Sequence, residues 1–315
     1  MGSIGVYRDM IEFVNVSKTY IRRKNENIHA NVDINFTINK GDFVGIFGAN
    51  GSGKSTLVKQ LVGLTSPSTG KINIAGVKNE KDRAVFKETI GYMSQASSGA
   101  IWKLKINEVI ETVAALKGIS RKSAVEGFRK LKAELEIDDN IDHAVFGHLS
   151  GGQRKLVSFI IAALGNQPIL VLDEPSNELD PKHRALLWSY INKYNAMGNT
   201  VILVTHNLNE VANHISRVLL VEKGQIVIDE VANDLLMKYA NSRRLTFSIG
   251  KDSLISSLSL IKEAYPNYAV KTFGDNSITL IGEISDTEIM SITKNLPMYS
   301  VSKVTMEDIC FFSEI

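Results

Sequence analysis

Residues 48–56 read GANGSGKST, which sets glycines at 48, 51 and 53 directly ahead of Lys54, Ser55 and Thr56. The spacing Gly48-x-x-x-x-Gly53-Lys54-Ser55 is that of a phosphate-cradling loop. Its glycines free backbone N–H groups, those of Ala49, Asn50 and Ser52 among them, to turn inward around an anion. A helix beginning at Ser55 adds its partial positive charge. Lys54 would reach the β- and γ-phosphates of a nucleoside triphosphate, and the Ser55 hydroxyl would ligate Mg²⁺. Leu149-Ser150-Gly151-Gly152-Gln153 offers a second anion site, with a hydroxyl, glycine N–H groups and a helix start facing one way. Asp173 and Glu174 emerge from the apolar run Ile169–Leu172. Such a carboxylate pair is costly to bury, which points to a functional role.

Taken in order, these motifs resemble the ATP-binding-cassette (ABC) ATPases. The LSGGQ signature is specific, with a chance match below about one in a thousand at ordinary residue frequencies. The resemblance covers roughly residues 11–230 and implies ATP and Mg²⁺ as cofactors. It places residues 48–56 on the phosphates, with Tyr20, from SKTY, stacked on adenine. Asp173 would hold Mg²⁺ through water, alongside Ser55 and Gln95, and Glu174 would be the general base on the attacking water. Gln95, closing IGYMSQ, would sense Mg²⁺ and the γ-phosphate and relay to a transport partner. His206, after VILVT, would contact the γ-phosphate as a switch. In this family Ser150, Gly151, Gly152 and Gln153 grip the γ-phosphate held by another subunit. A chain carrying both halves therefore implies a head-to-tail dimer, with itself or with a related ATPase. Ser176–Asp180 resembles the loop that crosses to the opposite site, with Glu178 where a smaller residue is common. Leu156 stands where an arginine or lysine is usual, and an extra residue precedes Pro168, departures expected to affect helix packing.

The elements that must hold these residues are readable in outline. Ile11–Val16 and Ile34–Ile38 alternate as antiparallel strands do, and Asp42–Phe47 is a compact apolar strand feeding the glycine loop. Ser55–Leu64 reads as a helix, stopped by the turn cluster Thr65–Gly70, and strands follow at Lys71–Ile74 and Thr89–Met93. Apolar residues at three- and four-residue spacing from about Asn107 to Asp139 predict a helical insertion. Ile169–Leu172 and Val201–Thr205 read as buried strands, the helix Pro181–Met197 lies between them, and Val218–Glu222 with Gln225–Asp229 forms a hairpin. The fold class expected is α/β, a phosphate-loop ATPase with antiparallel and helical subdomains. The cassette would span 1–234, its helical part about 96–155. The stretch 243–315 reads strand, helix, strand, strand, helix, strand, a small α+β module of ferredoxin-like order.

A net charge of +2 argues against nucleic acid as a partner. The apolar run Leu156–Leu164 falls well short of the ~18–20 residues that cross a bilayer. Membrane work would therefore belong to a separately encoded permease, with this chain at the cytoplasmic face. The lone Cys310 suits a reducing compartment, and the N-terminus has no apolar leader core. Three classes compete: the energising subunit of a transporter, a soluble ABC ATPase, and an ATP-gated scaffold. A single cassette disfavours the second, and the presence of Glu174 and His206 disfavours the third. The segment INEVIETVAALKGISRKSA resembles ABC exporters with separate permeases, so export is preferred and import is the alternative. VTMEDICFF resembles the closing segment of that group, or is an amphipathic helix packing on the small module. Trp102, in the loop Ala96–Lys103, contacts the partner or packs in the core.

Overall fold

The computed structural model describes residues 9–21, 27–74, 88–95, 99–248, 254–273, 276–294 and 298–312. Residues 96–98 of the loop after Gln95 lie outside them, as do the N-terminal residues read above for a leader. The chain packs as two units. One runs to His206 and resumes over His214–Asp229; the other comprises Asn207–Asn213 and Glu230–Ile315.

In the first unit, β1 (Asp9–Ile21) pairs antiparallel with β2 (Asn27–Asn39) and with β4 (Thr69–Ile74). Both β1 and β2 are longer than their alternating cores, and Tyr20 sits near the end of β1. Alternation puts Ile11, Phe13, Ile34 and Phe36 inward, with the Phe13 and Phe36 rings stacked at 4.4 Å. A six-stranded sheet has the order β5-β6-β7-β3-β8-β9, from Ile90–Met93, Ile169–Asp173, Thr200–Val204, Phe43–Phe47, Arg217–Glu222 and Gln225–Val231. The pairings from β5 through β8 are parallel. β3, β6 and β7 are buried at every position, as continuous apolar runs require in a sheet covered on both faces. Lys223 and Gly224 both take positive φ (46° and 81°), the backbone geometry of a two-residue hairpin turn between β8 and β9.

The helical insertion is two helices, α2 (Ile106–Lys117) and α3 (Arg121–Glu134). Gly118, at φ 68°, ends α2 in the left-handed conformation that glycine adopts without strain. Lys117 ties this insertion to the helix behind the signature, α4 (Gly151–Ala163). Its Nζ donates to the carbonyls of Ile161 (2.9 Å), Ala162 (2.8 Å) and Leu164 (2.7 Å), supplying donors at the end of α4. Trp102 packs in part. Its ring lies 5.3 Å from the Arg154 guanidinium and edge-on to Phe146, yet the residue is 43% exposed.

In the second unit, β10 (Arg243–Ser248), β11 (Ala269–Phe273), β12 (Ser277–Gly282) and β13 (Tyr299–Lys303) form a sheet ordered β11-β12-β10-β13. Every registered pair is antiparallel. With α8 (Leu254–Ala264) and α9 (Asp286–Thr293) between strands, this is the ferredoxin-like arrangement. The last strand stops at Lys303 because Thr305 turns to cap α10 (Met306–Phe311). Its side chain accepts from Asp308 N, and Asp308 returns a bond to Thr305 N at 2.9 Å. α10 buries Met306, Ile309 and Cys310, the behaviour of a packing helix. The short helix α6 (Leu208–Val211) belongs to this unit, where Asn209 donates to Glu307 at 2.6 Å.

Burial pushes the Cys310 thiol up to about 12. At pH 8 the folded chain should therefore react with a thiol reagent at least about 100-fold more slowly than the urea-unfolded chain. Comparable rates, followed by absorbance, would place Cys310 on an accessible surface.

Candidate functional site

β3 delivers the chain into the glycine loop, and α1 (Lys54–Leu61) receives it. Gly53, at φ 112°, is the residue before α1, and a Cβ there would run into the Ala30 carbonyl; one at Gly48 would strike the Val221 carbonyl. Glycine is therefore a steric requirement at both ends of the loop. The first N–H groups of α1 have no intrahelical acceptor and point into the loop's concavity. Lys54 Nζ donates to the carbonyls of Gly48 (2.6 Å) and Ala49 (2.9 Å), laying the ammonium across the loop. Burial lowers its pKa, opposed by Glu174 and Asp173.

Two supporting residues escape the motif patterns. Asn31 on β2 donates to the Gly53 carbonyl at 3.3 Å, and Gln60 on α1 donates to Asn31 at 2.8 Å. Both are buried, so the loop is braced from a separate sheet. Alternation gave no signal for Asn31, which shares its parity with the polar Asp33, Asn35 and Thr37.

A cleft of about 320 Å³ gathers Tyr20, Asn50, Gly51, Gly53, Lys54, Ser55 and Thr56 from the loop side. Gln95, Asp173, Glu174 and His206 come from the ends of β5, β6 and β7. Ser52 lies behind the loop, buried, its Oγ without a hydrogen-bond partner among the described residues. Tyr20 is 38% exposed, its ring open to stacking, with Lys18 Nζ 5.2 Å from the centroid.

Glu174 is the most constrained group in the cleft. It takes φ 51° and donates its N–H to the Val204 carbonyl at 2.8 Å. Its Oε2 accepts from Thr205 Oγ1 (2.9 Å) and Asn177 Nδ2 (3.3 Å). Oε1 accepts from His206 N (3.0 Å) and lies 2.7 Å from His206 Nδ1. Asp173 beside it is held above the usual carboxylate range by burial first and by the Glu174 charge second; Lys155, the Gln95 backbone N–H and Lys54 oppose this. Ser55, Gln95 and Asp173 offer hydroxyl, amide and carboxylate oxygens. These are the hard donors Mg²⁺ takes while keeping waters and substrate phosphates. Among the described residues no cluster of three or more His, Cys, Asp or Glu could hold a metal unaided. The donor set therefore fits an ion shared with a nucleotide.

The signature residues do not join this cleft. Ser150, Gly152 and Gln153 line a separate cleft of about 220 Å³ with Leu179 and Asp180. Ser150 caps α4: its Oγ accepts from Gln153 N (3.2 Å) and its own N–H donates to Gln153 Oε1 (3.0 Å). Leu156, read as a departure affecting packing, is buried in α4 and lines this second cleft.

This geometry defines a phosphate-loop ATPase of the cassette class, with its two glycine-rich helix starts lining separate clefts. The family described as "ABC transporter" matches residues 32–177. The carnitine transport ATP-binding protein OpuCA of Listeria monocytogenes is 30% identical over 95% of this chain and 70% of its own. The human cholesterol transporter ABCA5 is 29% identical over 98% of this chain, which spans 19% of that relative's length. The dimeric structure of MJ0796, a bacterial ABC transporter cassette, superposes with a TM-score of 0.65 at 29% identity, covering 71% of this chain and 99% of that one. The chain belongs to the ABC transporter family of ATP-binding proteins, whose cassettes are ATPases.

Because burial disfavours its charged form, Asp173 costs the folded chain stability at neutral pH. Asp173→Asn should raise the nucleotide-free melting temperature. A lowered Tm by calorimetry would mean that the carboxylate is held by compensating donors.

Proposed function

We propose that the chain is the ATP-hydrolysing subunit of a transporter, working as a head-to-tail dimer, paired with itself or a related ATPase, against a separately encoded permease at the cytoplasmic face of a membrane. The observation that carries it is the convergence of Lys54, Ser55, Gln95, Asp173, Glu174 and His206 on one cleft. In this reading residues 48–56 and Tyr20 bind ATP, and Ser55, Gln95 and Asp173 hold Mg²⁺. The ion would neutralise charge on the β- and γ-phosphate oxygens. Glu174 accepts a proton from the attacking water, and its four donors keep that carboxylate aimed at one point. His206, bonded to Glu174 through Nδ1, is left with Nε2 for the γ-phosphate.

The dimer is supported by the separation of the two anion sites. Ser150–Gln153 cannot serve the nucleotide held at 48–56 of the same chain, so a second copy brings the signature to it. No helix among the described residues is long and apolar enough to cross a membrane. Residues 243–315 are read as an accessory module. Export is preferred on the resemblance of residues 106–124. A neighbouring coding sequence for a permease with a substrate-binding protein would favour import instead.

Glu174→Gln keeps shape and one acceptor while removing the base. It should bind ATP with native affinity, lose turnover by at least about 100-fold, and accumulate as an ATP-bound dimer. Native turnover by phosphate release would show that Glu174 is not the base.

A further inference from the structure

Glu178 is an anomaly in both sequence and geometry. It occupies φ 67°, the left-handed region where glycine is at ease and a side chain is strained. The residue is exposed, yet its carboxylate lies close against the chain. It reaches across to the first turn of α4, where a Cβ at Gly151 would collide with Glu178 Oε2. A Cβ at Gly152 would sit 3.2 Å from the Glu178 carbonyl oxygen, so the two glycines of the signature admit this approach. Lys155, one turn along α4, has its pKa lowered by burial, and Glu178 leads the carboxylates that oppose the shift. Ser150 and Gln153 are meanwhile engaged with each other.

We propose that the Glu178 carboxylate is a built-in occupant of the signature face, which the γ-phosphate of a second copy's nucleotide must displace before the dimer closes. The positive end of α4 that attracts a phosphate attracts a carboxylate for the same reason, and two anions cannot share it. Glu178 thereby raises the ATP concentration needed for closure and holds the resting chain open.

The inference rests on the dimer reading above, and one experiment separates the two. In the full chain carrying Glu174→Gln, dimer fraction is followed by analytical ultracentrifugation as MgATP is titrated. Glu178→Gln, which removes charge while keeping side-chain length, should lower the ATP midpoint about fivefold. Glu178→Gly, which also relieves the positive φ, should lower it at least as far. A shift with glycine but none with glutamine would overturn the electrostatic account in favour of backbone strain. A raised midpoint with glutamine would make Glu178 a productive contact across the dimer and overturn the inference. If the Glu174→Gln parent dimerises but neither variant moves the midpoint, the inference alone fails. A parent that stays monomeric at saturating ATP removes the dimer reading, and the inference with it.

Discussion

Two adjacent carboxylates at the end of a fully buried strand are the constraint to which the rest of this site answers. Asp173 and Glu174 repel each other, and burial disfavours the charge on Asp173. The fold answers with directed donors on one side and cations on the other. Thr205, Asn177 and both nitrogen donors of His206 converge on Glu174, while Lys54, Lys155 and the Gln95 N–H face Asp173. The parallel sheet makes this possible, because β5, β6 and β7 end on the same side and bring Gln95, the carboxylates and His206 together there.

The opposite wall of the cleft is built by different means. The glycine loop needs backbone approaches that no Cβ would allow, at Gly48 against Val221 and at Gly53 against Ala30. Those neighbours come from β8 and β2, so the shape of the phosphate cradle depends on packing between two sheets. Asn31 and Gln60 hold that junction with buried amide bonds. Losing one partner would strand the other's polar group out of water.

The signature helix follows a related logic with a different outcome. Its start is capped within the chain by Ser150 and Gln153, and it is braced at the far end by Lys117 from the helical insertion. Bonds at both ends therefore fix this helix to α2 and to its own cap. Trp102, between Arg154 and Phe146, adds a further tie from the stretch after Gln95.

The residues proposed to hold phosphate were legible from the sequence because that chemistry demands fixed types at fixed local spacing. GANGSGKST, LSGGQ and ILVLDE each lie within one stretch of chain, and glycine, lysine or paired carboxylates have few substitutes there. The ferredoxin-like order of the last strands and helices was legible for the same local reason, since alternation and turns are nearest-neighbour properties. Long-range packing decided what local pattern could not express. Asn31 bracing Gly53, Lys117 capping a helix some forty residues away, and α6 packing with the second unit all join residues distant in sequence. The strand end at Lys303 likewise followed from a cap at Thr305 that competes with strand extension. Above all, the sequence by itself determined that the chain carries two glycine-rich helix starts. Only the tertiary structure decided that they face different clefts, because strand order and the position of α4 set their directions in space.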